Sequence, residues 1–112
     1  MNVRTMQALA VAAVLGLSTG GAAAPDAGVE VRLFQFRPGA LEVQRGTKVT
    51  WTNQDEIGHT VTAGAPEAPA SAGFDLKLDD KGAKVSAEFR TPGSYPYFCR
   101  RHNAMRGEIR VK

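Results

Sequence analysis

The sequence has a single cysteine, Cys99, and only two histidines, His59 and His102, among its 112 residues. One cysteine excludes an internal disulfide, so the chain lacks the crosslinks that stabilise many small exported domains. It also has no long run of Lys and Arg and no basic segment interleaved with aromatic residues, and its formal net charge is only +3. These absences argue against nucleic-acid binding, which requires clustered positive charge.

The longest apolar run, from Ala8 to Leu17, lies close to the amino terminus. It is too short to cross a bilayer, which needs roughly 20 residues, so we predict no integral membrane segment in the mature protein. Arg4 precedes the run and small residues follow it as far as Ala24, a pattern typical of a secretory signal peptide. We predict that residues 1–23 are a cleaved signal peptide and that residues 24–112 form one monomeric domain in the periplasm.

From Val29 onward, short strand patterns alternate with turn signals. Apolar side chains occupy every second position in residues 29–33, 49–51, 74–78 and 85–89, which is the period of a half-buried strand. The alternation changes parity at Phe34 and Phe36, so we expect a bulge or a sheet crossing near Leu33. Residues 63–73, rich in Ala, Pro and Gly, are expected to be irregular. Short strands at regular spacing, with no convincing helical period, predict an all-β sandwich.

The sulfur and imidazole side chains of the predicted domain can all be assigned to one site. Cys99, His102 and Met105 fall within one short segment, and His59 lies earlier, where a polar loop meets a β-branched run. The other two methionines belong to the predicted signal peptide. A short loop between two strands can turn three side chains inward onto one point, while a second loop at the same end supplies the distant histidine.

This donor set favours copper. Two His and one Cys in a trigonal plane, with a weak axial Met, is the geometry of electron-transfer copper, whereas structural zinc usually takes four strong Cys and His ligands. Taken singly, each residue has an ordinary interpretation, such as a buried inert thiol or a core methionine. Their coincidence, together with an exported thiol that has no disulfide partner, predicts one metal site formed by His59, Cys99, His102 and Met105.

The same residues resemble the cupredoxins, the small blue-copper β-sandwiches. The resemblance runs from about Val29 to Lys112 and includes residues 34–38, 46–55, 59–61 and 73–75 and the segment Gly93–Cys99. The Cys-x-x-His-x-x-Met spacing is similar to that of the amicyanins, whose ligand loop is short. The resemblance implies a Greek-key sandwich, a type 1 copper that cycles between Cu(I) and Cu(II), and an electron port at the exposed edge of His102.

One position departs from the family pattern. Thr60 follows the first histidine, where amicyanins and plastocyanins usually have an Asn that ties the two ligand loops together. The hydroxyl of Thr60 is the group that could take over this role.

The predicted function is therefore one-electron transfer between redox partner proteins, with a donor and an acceptor such as a c-type cytochrome or a dehydrogenase. Copper storage or delivery is the alternative from another class. An enzyme is not expected, because Cys99 and His102 have no evident third group to form a catalytic triad, and no histidine remains for a second copper. Arg100, Arg101 and Arg106 beside the ligands are either ordinary solvated surface or a patch that steers an acidic partner.

Overall fold

A computed structural model describes residues 25–70 and 73–112, and the predicted signal peptide lies outside this part. The described residues form ten β-strands and no helix, and they include no helix that could span a membrane. The strands are β1 (Asp26–Arg32), β2 (Gln35–Arg37), β3 (Ala40–Val43), β4 (Thr47–Asn53), β5 (His59–Ala65), β6 (Ala68–Pro69), β7 (Asp75–Leu78), β8 (Lys84–Phe89), β9 (Gly93–Phe98) and β10 (Arg106–Val111).

The strands make two sheets, which confirms the predicted all-β sandwich. One sheet has the order β2-β1-β4-β8, and the other has the order β3-β10-β9-β5-β6, with β7 also paired to β5. Strands β1 and β4 are parallel, as are β3 and β10, and the remaining pairs are antiparallel. The chain passes repeatedly from one sheet to the other, so the two sheets enclose a common core.

Aromatic side chains pack against one another inside that core, among aliphatic residues such as Val and Ile. Trp51 is fully buried, and its ring centroid lies 5.4 Å from that of Tyr97, 6.0 Å from that of Phe74 and 6.3 Å from that of Phe89. Strand β4 carries Trp51 inward because alternate residues of a strand point to the same face, and Val49 is buried with it. The alternation predicted from the sequence is therefore present in β4, and β8 shows it too, but Leu33, predicted to continue the alternation of β1, lies beyond that strand and is exposed.

The parity change near Leu33 is a tight turn and not a bulge. Strand β1 ends at Arg32, which pairs with Gln35, so Leu33 and Phe34 alone make the connection to β2. Both have positive φ, 53° and 59°, as a type I′ hairpin turn requires. Bulky residues rarely adopt this conformation, so the surrounding structure must hold the turn in place.

The stretch expected to be irregular contains strand residues in its described part. Strand β5 continues to Ala65 and folds back as a short hairpin onto β6, with Gly64 opposite Pro69. Gly64 has a φ of 101°, and a side chain there would collide with the backbone of residues 68–70. Glycine makes this close return possible.

Candidate metal centre

The four predicted ligands lie at one end of the sandwich. His59 is the first residue of β5, and Cys99 directly follows the last residue of β9. These two strands are antiparallel neighbours, with Thr62 opposite Phe98, so the start of one lies beside the end of the other. His102 and Met105 belong to the loop that joins β9 to β10. The sequence separation of His59 from the other three is thus closed by strand pairing.

The sulfur and nitrogen atoms converge closely. The Cys99 Sγ lies 3.8 Å from His59 Nδ1 and 3.7 Å from His102 Nδ1, and the candidate ligand atoms of these three residues all lie within 4.8 Å of one another. Cys99 and His59 are almost wholly buried, whereas His102 is partly exposed. One of the two histidines therefore presents an edge to solvent.

Backbone hydrogen bonds place Met105 beside this group. The Cys99 amide donates to the Met105 carbonyl at 3.1 Å, and the Met105 amide donates to the His102 carbonyl at 2.8 Å. These two bonds close the loop tightly, and the Met105 side chain is 3 % exposed. The loop thus brings a buried thioether to the same end of the sandwich as the thiol and the imidazoles.

The donor geometry fits a trigonal metal ion. Sulfur and nitrogen bonded to one metal at about 2.3 and 2.0 Å lie about 3.7 Å apart when they subtend 120°. The two sulfur–nitrogen distances match that separation. A thiolate, two imidazoles and a neighbouring thioether suit copper, and the pattern offers no fourth strong ligand for structural zinc.

Asp55 fixes the outer nitrogen of His59. Its Oδ2 lies 2.8 Å from His59 Nε2, and its carboxylate also accepts the Leu33 amide at 2.7 Å and the Phe34 amide at 3.0 Å. Burial works to raise the pKa of Asp55, but the hydrogen bonds from Phe34, His59 and Leu33 together lower it. An ionised Asp55 accepts a hydrogen bond from the Nε2–H group of His59. This leaves the Nδ1 lone pair of His59 facing Cys99.

The role of Asp55 was not predicted from the sequence. Its only signal is a carboxylate four residues before a histidine in a polar loop, and that pattern is common. The role depends on the Leu33-Phe34 turn reaching Asp55 from a distant strand pair, which no local pattern reveals.

Thr60 connects the two ligand loops as expected. Its amide donates to Cys99 Sγ at 3.4 Å, and its hydroxyl accepts the Arg100 amide at 2.9 Å. The hydroxyl thus holds the residue after His59 to the residue after Cys99, the role expected of it.

An aromatic side chain packs against the partly exposed histidine. The Phe34 ring packs edge-on against His102, with centroids 4.9 Å apart, and against His59, with centroids 5.4 Å apart. In the described part of the chain, the exposed large hydrophobic residues are Leu33, Phe34 and Ile57. Phe34 therefore adds exposed apolar surface beside His102, with Leu33 next to it in the chain, and this surface was not predicted from the sequence.

The arginines of the ligand loop are mostly paired with acids. Arg106 donates to both oxygens of Glu67, at 3.1 and 3.0 Å, and Arg100 Nε lies 3.4 Å from Asp75 Oδ1. Each of these four side chains is about half exposed or more, so the pairs contribute little stability. They do reduce the positive charge beside the site, which weakens the steering hypothesis.

Comparison with known proteins places the chain among copper proteins. A family model described as copper binding proteins, plastocyanin/azurin family, matches residues 23–112. A chloroplastic plastocyanin of Tetradesmus obliquus is 33% identical over 119 residues, covering 97% of this chain and 81% of the relative. Amicyanin-alpha of Methylorubrum extorquens is 29% identical over 126 residues, covering 96% of this chain and all of the relative, 100%.

Solved structures agree with the architecture. A purple cupredoxin from Nitrosopumilus maritimus superposes with a TM-score of 0.69 at 26% identity, covering 78% of this chain and 100% of that one. The reduced Cu(I) form of an amicyanin mutant superposes with a TM-score of 0.70 at 28% identity, covering 82% of this chain and 87% of that one.

Proposed function

The chain belongs to the plastocyanin/azurin family of copper-binding proteins, and we propose that it carries single electrons on one copper ion held by His59, Cys99, His102 and Met105. The single observation that carries this assignment is the convergence of Cys99 Sγ with the Nδ1 atoms of both histidines. Family members of this kind are electron carriers and not enzymes. When bound, copper supplies a one-electron couple between Cu(I) and Cu(II).

The protein contributes a rigid set of donors. His59 is buried and hydrogen-bonded on its outer nitrogen to Asp55, and Cys99 accepts the Thr60 amide. Ligands held in this way change position little when the charge at the site changes, so electron transfer in either direction requires little rearrangement.

His102 is the proposed port for electrons. It is the more exposed of the two histidines, and the exposed apolar ring of Phe34 adjoins it. A partner that packs against this surface brings its own redox centre close to an imidazole bonded to the metal. The donor and acceptor are redox proteins, with a c-type cytochrome or a dehydrogenase as candidates.

The test is the visible spectrum of the copper-loaded protein beside that of Cys99→Ser. We expect an intense thiolate-to-copper charge-transfer band in the wild type, bleached and restored by reversible one-electron reduction, and no such band in the variant. The zinc-loaded wild type is the matched control, because zinc is redox-inert and has no such transition. An intense band that survives Cys99→Ser would overturn the ligand assignment. A colourless Cu(I) site that readily loses its metal to a chelator would instead favour copper storage or delivery.

We also propose that residues 1–23 direct export to the periplasm and are removed, leaving a monomeric domain of residues 24–112. The mass of the protein from a periplasmic fraction should correspond to a chain that begins at Ala24, and gel filtration should give a monomer. A full-length chain that stays in the cytoplasm would contradict export.

A further inference from the structure

A closed ring of hydrogen bonds leads from the sulfur ligand to a surface carboxylate. The Thr60 hydroxyl lies 2.9 Å from the Thr62 hydroxyl, which in turn donates to Asp75 Oδ1 at 2.9 Å. Arg100 closes the ring, because its amide donates to Thr60 Oγ1 at 2.9 Å and its Nε lies 3.4 Å from the same Asp75 oxygen. Asp75 is not one of the four predicted ligands, and its hydrogen bonds do not go to their side chains.

The direction of each bond in this ring is determined by its ends. A carboxylate can only accept, so the single hydroxyl proton of Thr62 is used on Asp75. Thr62 Oγ1 must then accept from Thr60, and Thr60 Oγ1 is left free to accept the Arg100 amide. The Thr62 hydroxyl, opposed by burial and aided by Arg100, lowers the pKa of Asp75, which keeps this end of the ring ionised.

Both threonine hydroxyls need these partners. Thr60 is 8 % exposed and Thr62 is 2 % exposed, and the two point to the same face because they are two residues apart on β5. A buried hydroxyl without a partner is destabilising, so loss of one bond favours rotation of the next hydroxyl. Hydrogen bonds arranged head to tail also strengthen one another.

From this arrangement we propose that Asp75 is a positioning residue for the copper centre, acting through Thr62 and Thr60 on the amide that donates to Cys99 Sγ. This inference rests on the proposed function, since it concerns the potential of that same site. Hydrogen bonding to the cysteine sulfur is one of the means by which a protein tunes such a potential. A strong hydrogen bond from this amide withdraws electron density from the sulfur and favours the reduced state of the copper. Loosening the ring should therefore lower the reduction potential.

The chain offers a well-matched control. Asp75 and Glu67 are both surface carboxylates paired with an arginine of the ligand loop, and their side chains are 56% and 64% exposed. Only Asp75 is bonded to a buried threonine. Removing either negative charge should raise the potential, whereas loss of the ring should lower it. We expect the reduction potential of Asp75→Ala to be lower than that of Glu67→Ala. The potential of Thr62→Val should fall below that of the wild type, and the potential of Thr62→Ser should stay near it.

Amide hydrogen exchange in the metal-free protein tests the ring without copper. The Arg100 amide should exchange roughly two- to tenfold faster in Thr62→Val and in Asp75→Ala, as expected for the loss of about one hydrogen bond. Its exchange rate should be unchanged in Glu67→Ala. Adding Asp75→Ala to Thr62→Val should give no further acceleration, because Asp75 acts through Thr62.

The inference would be overturned if Asp75→Ala and Thr62→Val accelerated Arg100 exchange additively. Equal reduction potentials in Asp75→Ala and Glu67→Ala would overturn it too. A blue, reversible site with unchanged Arg100 exchange in Thr62→Val refutes the ring and leaves the proposed function standing. Accelerated exchange in a protein that forms no blue site supports the ring as a structural device and refutes the function, and with it the role of Asp75 at the copper.

Discussion

The metal end of the sandwich and its interior are held by different kinds of contact. At the metal end, polar side chains form directional bonds, with Asp55 joining a strained turn to His59 and Thr60 joining the two ligand loops. In the interior, the buried Trp51 Nε1 and Tyr97 hydroxyl have no hydrogen-bond partner in the described part of the chain. Apolar packing thus fills the interior, whereas directional hydrogen bonds hold the side chains around the predicted ligands.

The largest effect should come from removing the acid that organises the metal end. We expect Asp55→Ala to lower the free energy of unfolding of the metal-free protein by about 2–3 kcal/mol. It removes the acceptor for the Leu33 and Phe34 amides and for His59 Nε2, and bonds to a charged group contribute more than neutral ones. Urea unfolding with a chelator present measures the change.

Asp79→Ala is the control for that measurement, since Asp79 is an exposed acid near the same end of the molecule. It should change stability by less than about 0.5 kcal/mol. If Asp55→Ala behaved like Asp79→Ala, the metal end would owe its order to packing, and the contrast with the interior would be lost.

How far the sequence predicts each region follows from the kind of contact. The core strands could be predicted because burial imposes a two-residue period, visible at Val49 and Trp51. The convergence of Cys99 with the two histidines could be predicted because sulfur and imidazole are scarce in this chain. The Leu33-Phe34 turn could not, because Leu and Phe are unfavourable at positive φ and adopt it only when a distant Asp55 holds their amides. Partners far apart in sequence, such as Thr62 and Asp75, likewise require the folded sheet.

In the interior, adding a side-chain atom should destabilise the protein more than removing the unpartnered Tyr97 hydroxyl. Gly107 lies opposite Tyr97 in the β9–β10 pair, and a Cβ on Gly107 would overlap the Tyr97 ring and hydroxyl. That ring is packed between Phe36 and Trp51, at centroid distances of 4.8 and 5.4 Å, so it cannot move aside freely. Gly107→Ala should therefore destabilise the protein by about 2 kcal/mol in thermal or urea unfolding.

The matched control is Gly28→Ala in β1, where the nearest atom to an added Cβ is the Thr50 carbonyl oxygen at 3.9 Å. This change should be neutral or slightly stabilising, because alanine restricts the unfolded chain. Equal destabilisation by both substitutions would mean that strand position, and not the crowding at Tyr97, explains the result.

The smallest effect concerns the unpartnered hydroxyl of Tyr97 and appears only in alkali. At neutral pH, Tyr97→Phe should change stability by less than about 0.5 kcal/mol, since it removes a buried hydroxyl that has no partner. Burial, opposed only in part by the neighbouring Trp51 side chain, raises the pKa of Tyr97 to about 12, above the ordinary 10.0 of the unfolded chain. Between these two pKa values the unfolded chain releases the proton while the folded chain keeps it, so the wild type should lose about 1 kcal/mol of stability by pH 11.

This loss should be absent in Tyr97→Phe and present in Tyr95→Phe, whose hydroxyl donates to the Thr91 carbonyl. An equal alkaline loss in Tyr97→Phe and the wild type would show that the hydroxyl is solvated, and the interior would then resemble the metal end.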